Sequence, residues 1–114
     1  MFKFRAKRKF DKTMAKIWSF GYVDQDNWEK YKALHVEGMI LACMVDFGSY
    51  RDPQWACVQA LETIRSRREQ YLMGMPFEYY ADLVVTLKDK VSQLPQDYRD
   101  TAAKLEQLAS KLEL

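Results

Sequence analysis

The apolar residues of this chain recur every three or four positions over most of its length, which is the spacing of one face of an α-helix. A stripe near the N-terminus consists of Phe2, Ala6, Phe10, Met14 and Ile17. It predicts a first helix from about Ala6 to Phe20-Gly21, where the glycine would end the helix. Apolar and basic residues also alternate at the very start, so residues 1–5 could instead form an extended arm.

A second helix is predicted between an acidic turn and Phe47-Gly48. Asp24 or Asp26 could cap its positively polarised N-terminal end. Its inward-facing stripe consists of Trp28, Tyr31, Leu34, His35, Gly38, Leu41, Ala42 and Val45. A glycine inside a helix costs about 1 kcal/mol relative to alanine. Gly38 therefore indicates a place where another helix approaches closely.

Proline and glycine mark the limits of the next two helices. Asp52 before Pro53 predicts an N-cap and a first turn, and Gly74 with Pro76 predicts the end of the third helix. The inward positions of that helix are Trp55, Val58, Leu61, Ile64, Arg65 and Leu72. A fourth helix is predicted from about Phe77 to Leu94, because the residue before Pro95 disfavours helical geometry. Its inward positions are Tyr80, Leu83, Val84, Leu87, Val91 and Leu94.

The C-terminal segment repeats apolar residues at steps of four and three, like one seam of a coiled coil. These residues are Tyr98, Ala102, Leu105, Ala109 and Leu112. The seam could pack on the rest of the domain, or it could dock on another protein or on a second copy in a homo-oligomer. The whole pattern predicts an all-α fold, a small and mostly antiparallel bundle of four to five helices with a basic N-terminal arm or helix. The predicted single domain comprises a basic segment (1–23), a helical core (24–94) and a C-terminal helix (95–114).

Composition removes several classes of protein. Of the 114 residues, 48% are hydrophobic and 30% are charged, which is too apolar for a disordered chain. Two cysteines are too few for a disulfide scaffold, and one histidine is too few for a histidine-based metal site. The sequence has no apolar run long enough for a transmembrane helix. No apolar stretch or small-residue cleavage site closely follows the basic N-terminus, so we expect no secretory signal. We therefore expect a cytoplasmic protein with Cys43 and Cys57 as buried thiols.

The charge is distributed unevenly. Residues 1–23 hold seven basic residues and one acidic residue, a net charge of +6, whereas residues 24–50 hold two basic and five acidic residues, a net charge of −3. The whole chain carries only +2. The modest overall value therefore hides a strongly basic N-terminal segment.

Residues that could carry out catalysis are scarce. There is no glycine-rich phosphate loop. His35 is the single imidazole, so any Cys-His or Ser-His-Asp arrangement would need it, and a buried structural histidine is the simpler interpretation. Acidic pairs such as Glu78 and Asp82 are typical of solvated helix faces. We therefore expect a protein without enzymatic activity, metal or cofactor.

The basic segment gives the strongest positive signal because its cations alternate with aromatic residues. A protein with an acidic surface would pair with the charges and bury the rings, nucleic acid would contact the cations through phosphates, and an anionic membrane would bind a basic amphipathic helix. The segment could also simply pack on the acidic second helix of its own chain. On the third helix, Glu62 and Glu69 lie close enough to pair with Arg65, which leaves Arg67 and Arg68 less compensated. The candidate binding residues are Phe2, Lys3, Phe4, Arg5, Lys7, Arg8, Lys9, Lys12, Lys16, Trp18, Arg67 and Arg68.

These observations favour a small non-catalytic helical protein that acts as an adaptor, regulator or inhibitor through contacts with another macromolecule. Another protein is the preferred partner, nucleic acid comes next, and an anionic membrane surface is third. The alternative function is nucleic-acid binding through the basic segment together with Arg67 and Arg68. The small size and the lack of catalytic residues are also typical of regulators encoded by phages and mobile elements.

Overall fold

The computed structural model describes residues 2–48 and 52–112, with the side chains of 4–48 and 52–108. Within these ranges the chain is all-helical and has no strand. The described helices are α1 (Phe2–Trp18), α2 (Trp28–Asp46), α3 (Pro53–Ser66), α4 (Arg68–Gly74), α5 (Phe77–Ser92) and α6 (Gln96–Leu112). The predicted all-α class is therefore confirmed.

The chain groups into two compact units, Met1–Ala56 and Cys57–Leu114. Helix α3 begins in the first unit and continues into the second. The single antiparallel bundle expected from the sequence stays a prediction. The possible extended arm over residues 1–5 is wrong for residues 2–5, because α1 already begins at Phe2. Residue 1 lies outside the described ranges.

In the first unit, α1 packs against α2 around Gly38. A Cβ atom added at Gly38 would lie 3.3 Å from Cδ1 of Ile17 and 3.7 Å from Cγ2 of Thr13. The glycine therefore lets the two helices approach closely, as its place inside the predicted helix indicated. Ala6 and Thr13 of α1 are buried. Thr13 was not part of the predicted apolar stripe.

The turn between α1 and α2 is fixed by side-chain hydrogen bonds. Gly21 adopts a positive φ of 83°, which favours glycine. Oδ1 of Asp24 accepts bonds from the backbone N–H groups of Asp26 (3.0 Å) and Asn27 (3.1 Å). In return, Oδ1 of Asn27 accepts a bond of 2.8 Å from the backbone N–H of Asp24, and its amide donates to the carbonyl of Tyr22. The N-cap of α2 is Asn27, which makes no side-chain capping bond, so the prediction that Asp24 or Asp26 caps this helix is wrong. Asp24 instead closes the turn that leads into α2.

Helix α2 is buried on two sides. Trp28, Gly38 and Leu41 lie on the predicted stripe, whereas Val36 and Cys43 are buried although they lie on the other side of the helix. A single apolar stripe therefore describes three of the five buried residues of α2. The burial of Cys43 confirms the expectation for that thiol, whereas the expectation of a buried Cys57 is wrong, because Cys57 of α3 is only half-buried.

In the second unit the predicted third helix is divided. It breaks at Arg67 into α3 and α4, although neither glycine nor proline lies at the break. The last carbonyl groups of a helix lack partners within that helix. The carbonyl of Ile64 in the last turn of α3 accepts a hydrogen bond of 3.3 Å from the Tyr80 hydroxyl of α5. This break is why the described residues form six helices where four to five were expected.

The core of the second unit follows the predicted positions closely. The start of α3, which belongs to the first unit, is capped as predicted, because the backbone N–H of Trp55 donates to Oδ1 of Asp52. The fully or nearly fully buried residues are Val58, Ala60, Leu61, Ile64, Tyr80, Leu83, Leu87 and Val91. Helix α6 is tied to α3 by an ion pair of 3.2 Å between Arg65 and Glu106. Arg65 thus pairs across the unit rather than with Glu62 or Glu69.

None of the described helices is both long and apolar enough to cross a membrane.

Candidate macromolecule-binding face on helix α1

Five cations of α1 lie on one face of the helix, which we call the basic face. They are Arg5, Arg8, Lys9, Lys12 and Lys16, and all five are exposed. Their steps of three and four positions are the helical repeat, so they form a stripe about 16 Å long. None of the five forms an ion pair with an acid of the described residues. The stripe is therefore an uncompensated positive surface.

The basic face has an energetic cost within the helix. Like charges four positions apart destabilise an isolated helix by about 0.2–0.5 kcal/mol per pair. Arg5 with Lys9, Arg8 with Lys12, and Lys12 with Lys16 are three such pairs. Lys16 lies in the last turn and gains some energy from the helix dipole. The other cations have no such compensation, so the basic face does not contribute to the stability of the helix.

Lys7 differs from the other cations of α1. Its ammonium group lies 3.1 Å from a carboxylate oxygen of Asp11 and 5.3 Å from the centre of the Phe10 ring. The pair follows the i,i+4 spacing, which was available in the sequence as a signal. Lys7 is thus engaged on its own helix and contributes less to the positive surface than the predicted set assumed.

The aromatic residues of the predicted set lie at the two ends of α1. Phe4 is 74% exposed and Trp18 is 79% exposed. Phe2 and Lys3 belong to α1, but their side chains lie outside the described part of the structure. Tyr22, in the turn after α1, is also exposed and was not among the predicted residues. In the sequence, only the neighbouring turn residue Gly21 indicated that Tyr22 lies at the surface.

The interpretation that the basic segment neutralises the acidic second helix is supported only in part. Helix α1 does pack on α2, but its contact around Gly38 involves Thr13, Met14 and Ile17. The cations of the basic face remain in solvent, and Glu29 of α2 pairs with Lys32 of its own helix at 3.0 Å. Packing between the two helices thus relies on apolar contacts, and among the described side chains no cation of α1 pairs with an acid of α2.

Arg67 and Arg68 belong to the second unit, whereas the basic face belongs to the first. Both arginines are exposed at the break between α3 and α4, and neither forms an ion pair with a described acid. Burial raises the pKa of the neighbouring Tyr80, and the charges of Arg68 and Arg65 lower it to a smaller extent. The two arginines are two further exposed cations, and they belong to the second unit.

Burial shifts the pKa values of the two side chains that could act in nucleophilic or acid–base chemistry, His35 and Cys57. His35 lies on α2, with its ring 5.7 Å from the ring of Tyr31, and burial lowers the pKa of its imidazole. Burial raises the pKa of the Cys57 thiol, and the charge of Lys90 only partly opposes that effect. A raised pKa leaves little thiolate at neutral pH, so Cys57 is a poor nucleophile. Within residues 2–48 and 52–112 no group of histidine, cysteine or carboxylate side chains is arranged to hold a metal ion.

The lowered pKa of His35 makes stability depend on pH. As the pH falls through about 6.5, the unfolded chain binds a proton that the folded chain does not, so unfolding becomes easier. We expect the free energy of unfolding to fall more for the wild type than for His35→Gln between pH 7.5 and about pH 5.5. Urea titrations at both pH values check this. Both proteins have the same carboxylates, so the difference between them isolates the effect of His35. Equal losses of unfolding free energy in the two proteins would contradict a buried, neutral imidazole.

Comparisons with protein-family models, with curated proteins and with solved structures find no match to this chain.

Proposed function

We propose that this is a non-catalytic binding protein, an adaptor, regulator or inhibitor that docks an acidic surface of another protein on the basic face of α1. The observation that carries the proposal is the set of five exposed cations that lack acidic partners among the described residues. Complementary charge speeds association and selects partners, which is what a docking surface of this kind provides.

The packing of α1 favours a protein over an anionic membrane. A basic amphipathic helix binds a bilayer by burying its apolar face among the lipids. On α1 that face is already used, because Thr13 and Ile17 pack around Gly38 of α2. With α2 in place, the basic face stays exposed to a partner, whereas most of the apolar stripe of α1 does not.

Nucleic acid is the second candidate, and the exposed arginines of the second unit favour it. Arg67 and Arg68 add two cations without described acidic partners to those of α1. Phosphate contacts by many cations produce binding that falls steeply with salt.

As part of the proposal we also place the protein in the cytoplasm, which is supported by the reduced thiols of Cys43 and Cys57.

Charge reversal on the basic face tests the proposal. Tagged wild-type protein, Lys12→Glu/Lys16→Glu and the control Lys88→Glu/Lys90→Glu are incubated with nuclease-treated lysate of the source organism. Both double variants change the net charge equally at exposed positions. We expect at least one lysate protein to be retained by the wild type and by the control. The α1 variant should retain that protein at least about tenfold less, which corresponds to a loss of about 1.4 kcal/mol of binding free energy.

Two results would count against a protein partner. Retention of every protein to the same extent by all three forms would show that the basic face binds none of them. Tight binding of duplex or single-stranded oligonucleotides that weakens steeply between about 50 and 200 mM salt would shift the function to nucleic acid. Circular dichroism of each variant confirms that the helices are retained.

A further inference from the structure

A second line of exposed residues runs along α1 beside the basic face. Phe4, Asp11 and Trp18 follow one another at intervals of seven positions, close to two helical turns, so they lie within about 40° of each other around the axis. We call these three residues the aromatic line. Arg8 lies one turn after Phe4, so the line borders the basic face. The two rings are separated by about 21 Å along the helix.

The two rings are large apolar groups that the described structure leaves in water. A Phe or Trp side chain buries about 150–250 Å² when it is covered, and such rings dominate the energetics of protein interfaces. Phe4 and Trp18 are among the most exposed large hydrophobic residues of the first unit. Placed at opposite ends of one helix and beside five cations, they are suited to anchor a partner that lies lengthwise on α1.

The centre of the aromatic line distinguishes between classes of partner. Asp11 lies midway between the rings, and its side chain is 61% exposed although it pairs with Lys7. A phosphate backbone that followed the line would meet this carboxylate and be repelled. A polypeptide can instead place a neutral or donor group opposite the Lys7–Asp11 pair and keep its own carboxylates on the basic face.

We propose that the partner offers an acidic, apolar polypeptide segment that runs along α1, with its carboxylates on the basic face and apolar side chains against Phe4 and Trp18. This inference rests on the proposed function and deepens it, because it names the chemistry of the docked segment. The partner must extend over at least about 21 Å, which requires about 14 residues as a helix or about seven as a strand.

Selection from displayed random peptides of about 20 residues tests the inference with a defined probe. We expect wild-type protein to enrich peptides that combine several Asp or Glu residues with at least two large apolar residues. The enriched peptide, made synthetically, should bind Phe4→Ala/Trp18→Ala at least about tenfold more weakly than wild type. The control Phe77→Ala, an exposed phenylalanine of the second unit, should bind it like the wild type.

The variants separate this inference from the proposed function. If Lys12→Glu/Lys16→Glu abolishes binding and Phe4→Ala/Trp18→Ala does not, the basic face is a docking site and the aromatic line is not part of it. If no acidic apolar peptide is enriched, or if binding ignores both sets of changes, the inference is overturned. Binding of an oligo(dT) of about 20 nucleotides that requires Phe4 and Trp18 would overturn it in favour of base stacking. Both rings are exposed, so their truncation should leave the fold intact, which circular dichroism checks.

Discussion

Replacing Leu87 with alanine is expected to lower the free energy of unfolding by about 3 kcal/mol. Leu87 of α5 has no exposed surface, and its neighbours on the same face, Leu83 and Val91, are also buried. Truncation of a fully buried leucine removes its transfer energy and leaves a cavity, at a cost of about 2–5 kcal/mol. Since domains of this size are stable by only about 5–15 kcal/mol, the loss is a large fraction of the total.

Urea denaturation followed by circular dichroism measures the effect. Val85→Ala is the matched control, because Val85 lies on the same helix but is 53% exposed. We expect the control to lie within about 0.5 kcal/mol of the wild type. A cost for Leu87→Ala no greater than that of the control would show that this face of α5 is not part of a packed core.

Replacing Gly38 with leucine is the second change with a large expected effect. A Cβ atom at this position already comes within 3.3 Å of Cδ1 of Ile17, so the remainder of a leucine side chain has to force α1 and α2 apart. We expect overpacking to lower the free energy of unfolding by about 3 kcal/mol, and the better helix propensity of leucine to restore about 1 kcal/mol of it. Urea denaturation followed by circular dichroism should therefore show a net loss of about 2 kcal/mol.

Two further variants show whether the close approach is the cause. Gly38→Ala adds only the Cβ atom and should be nearly neutral, because the gain in helix propensity offsets a shift of Ile17 by a few tenths of an ångström. The substitution Ile17→Val removes the methyl group that the new Cβ atom would contact. In that background Gly38→Ala should show the gain in helix propensity without the opposing cost of shifting residue Ile17. Gly74→Leu is the positional control, since nothing lies within 4 Å of a Cβ atom there. If Gly38→Leu is as stable as Gly74→Leu, the helices do not meet at Gly38.

The sequence alone allowed the local parts of the fold to be predicted. Periodicity identified the buried face of α5, and capping chemistry located the start of α3 at Asp52-Pro53, because both depend on residues close together in the chain. The break at Arg67 has no local signal. It coincides with a hydrogen bond between Tyr80 and Ile64, sixteen positions apart, which no pattern within α3 could indicate.

The candidate site shows the same division. The basic residues of α1 were visible as a charge excess, and the pairing of Lys7 with Asp11 follows from their spacing. In contrast, the partner of Arg65 is Glu106, forty-one positions away, while the nearer Glu62 and Glu69 were the local choices. Which cations lack partners therefore depended on tertiary contacts. Phe4 and Trp18 lie outside the predicted apolar stripe of α1, and the structure leaves both exposed.

The close contact at Gly38 also affects the thermodynamics of any docking on α1. A helix that is held by its neighbour before the encounter does not have to become ordered during it, so association avoids the entropy loss of coupled folding. The heat-capacity change on association should then reflect only the apolar surface removed from water, and affinity should not rise when the free chain is made more helical.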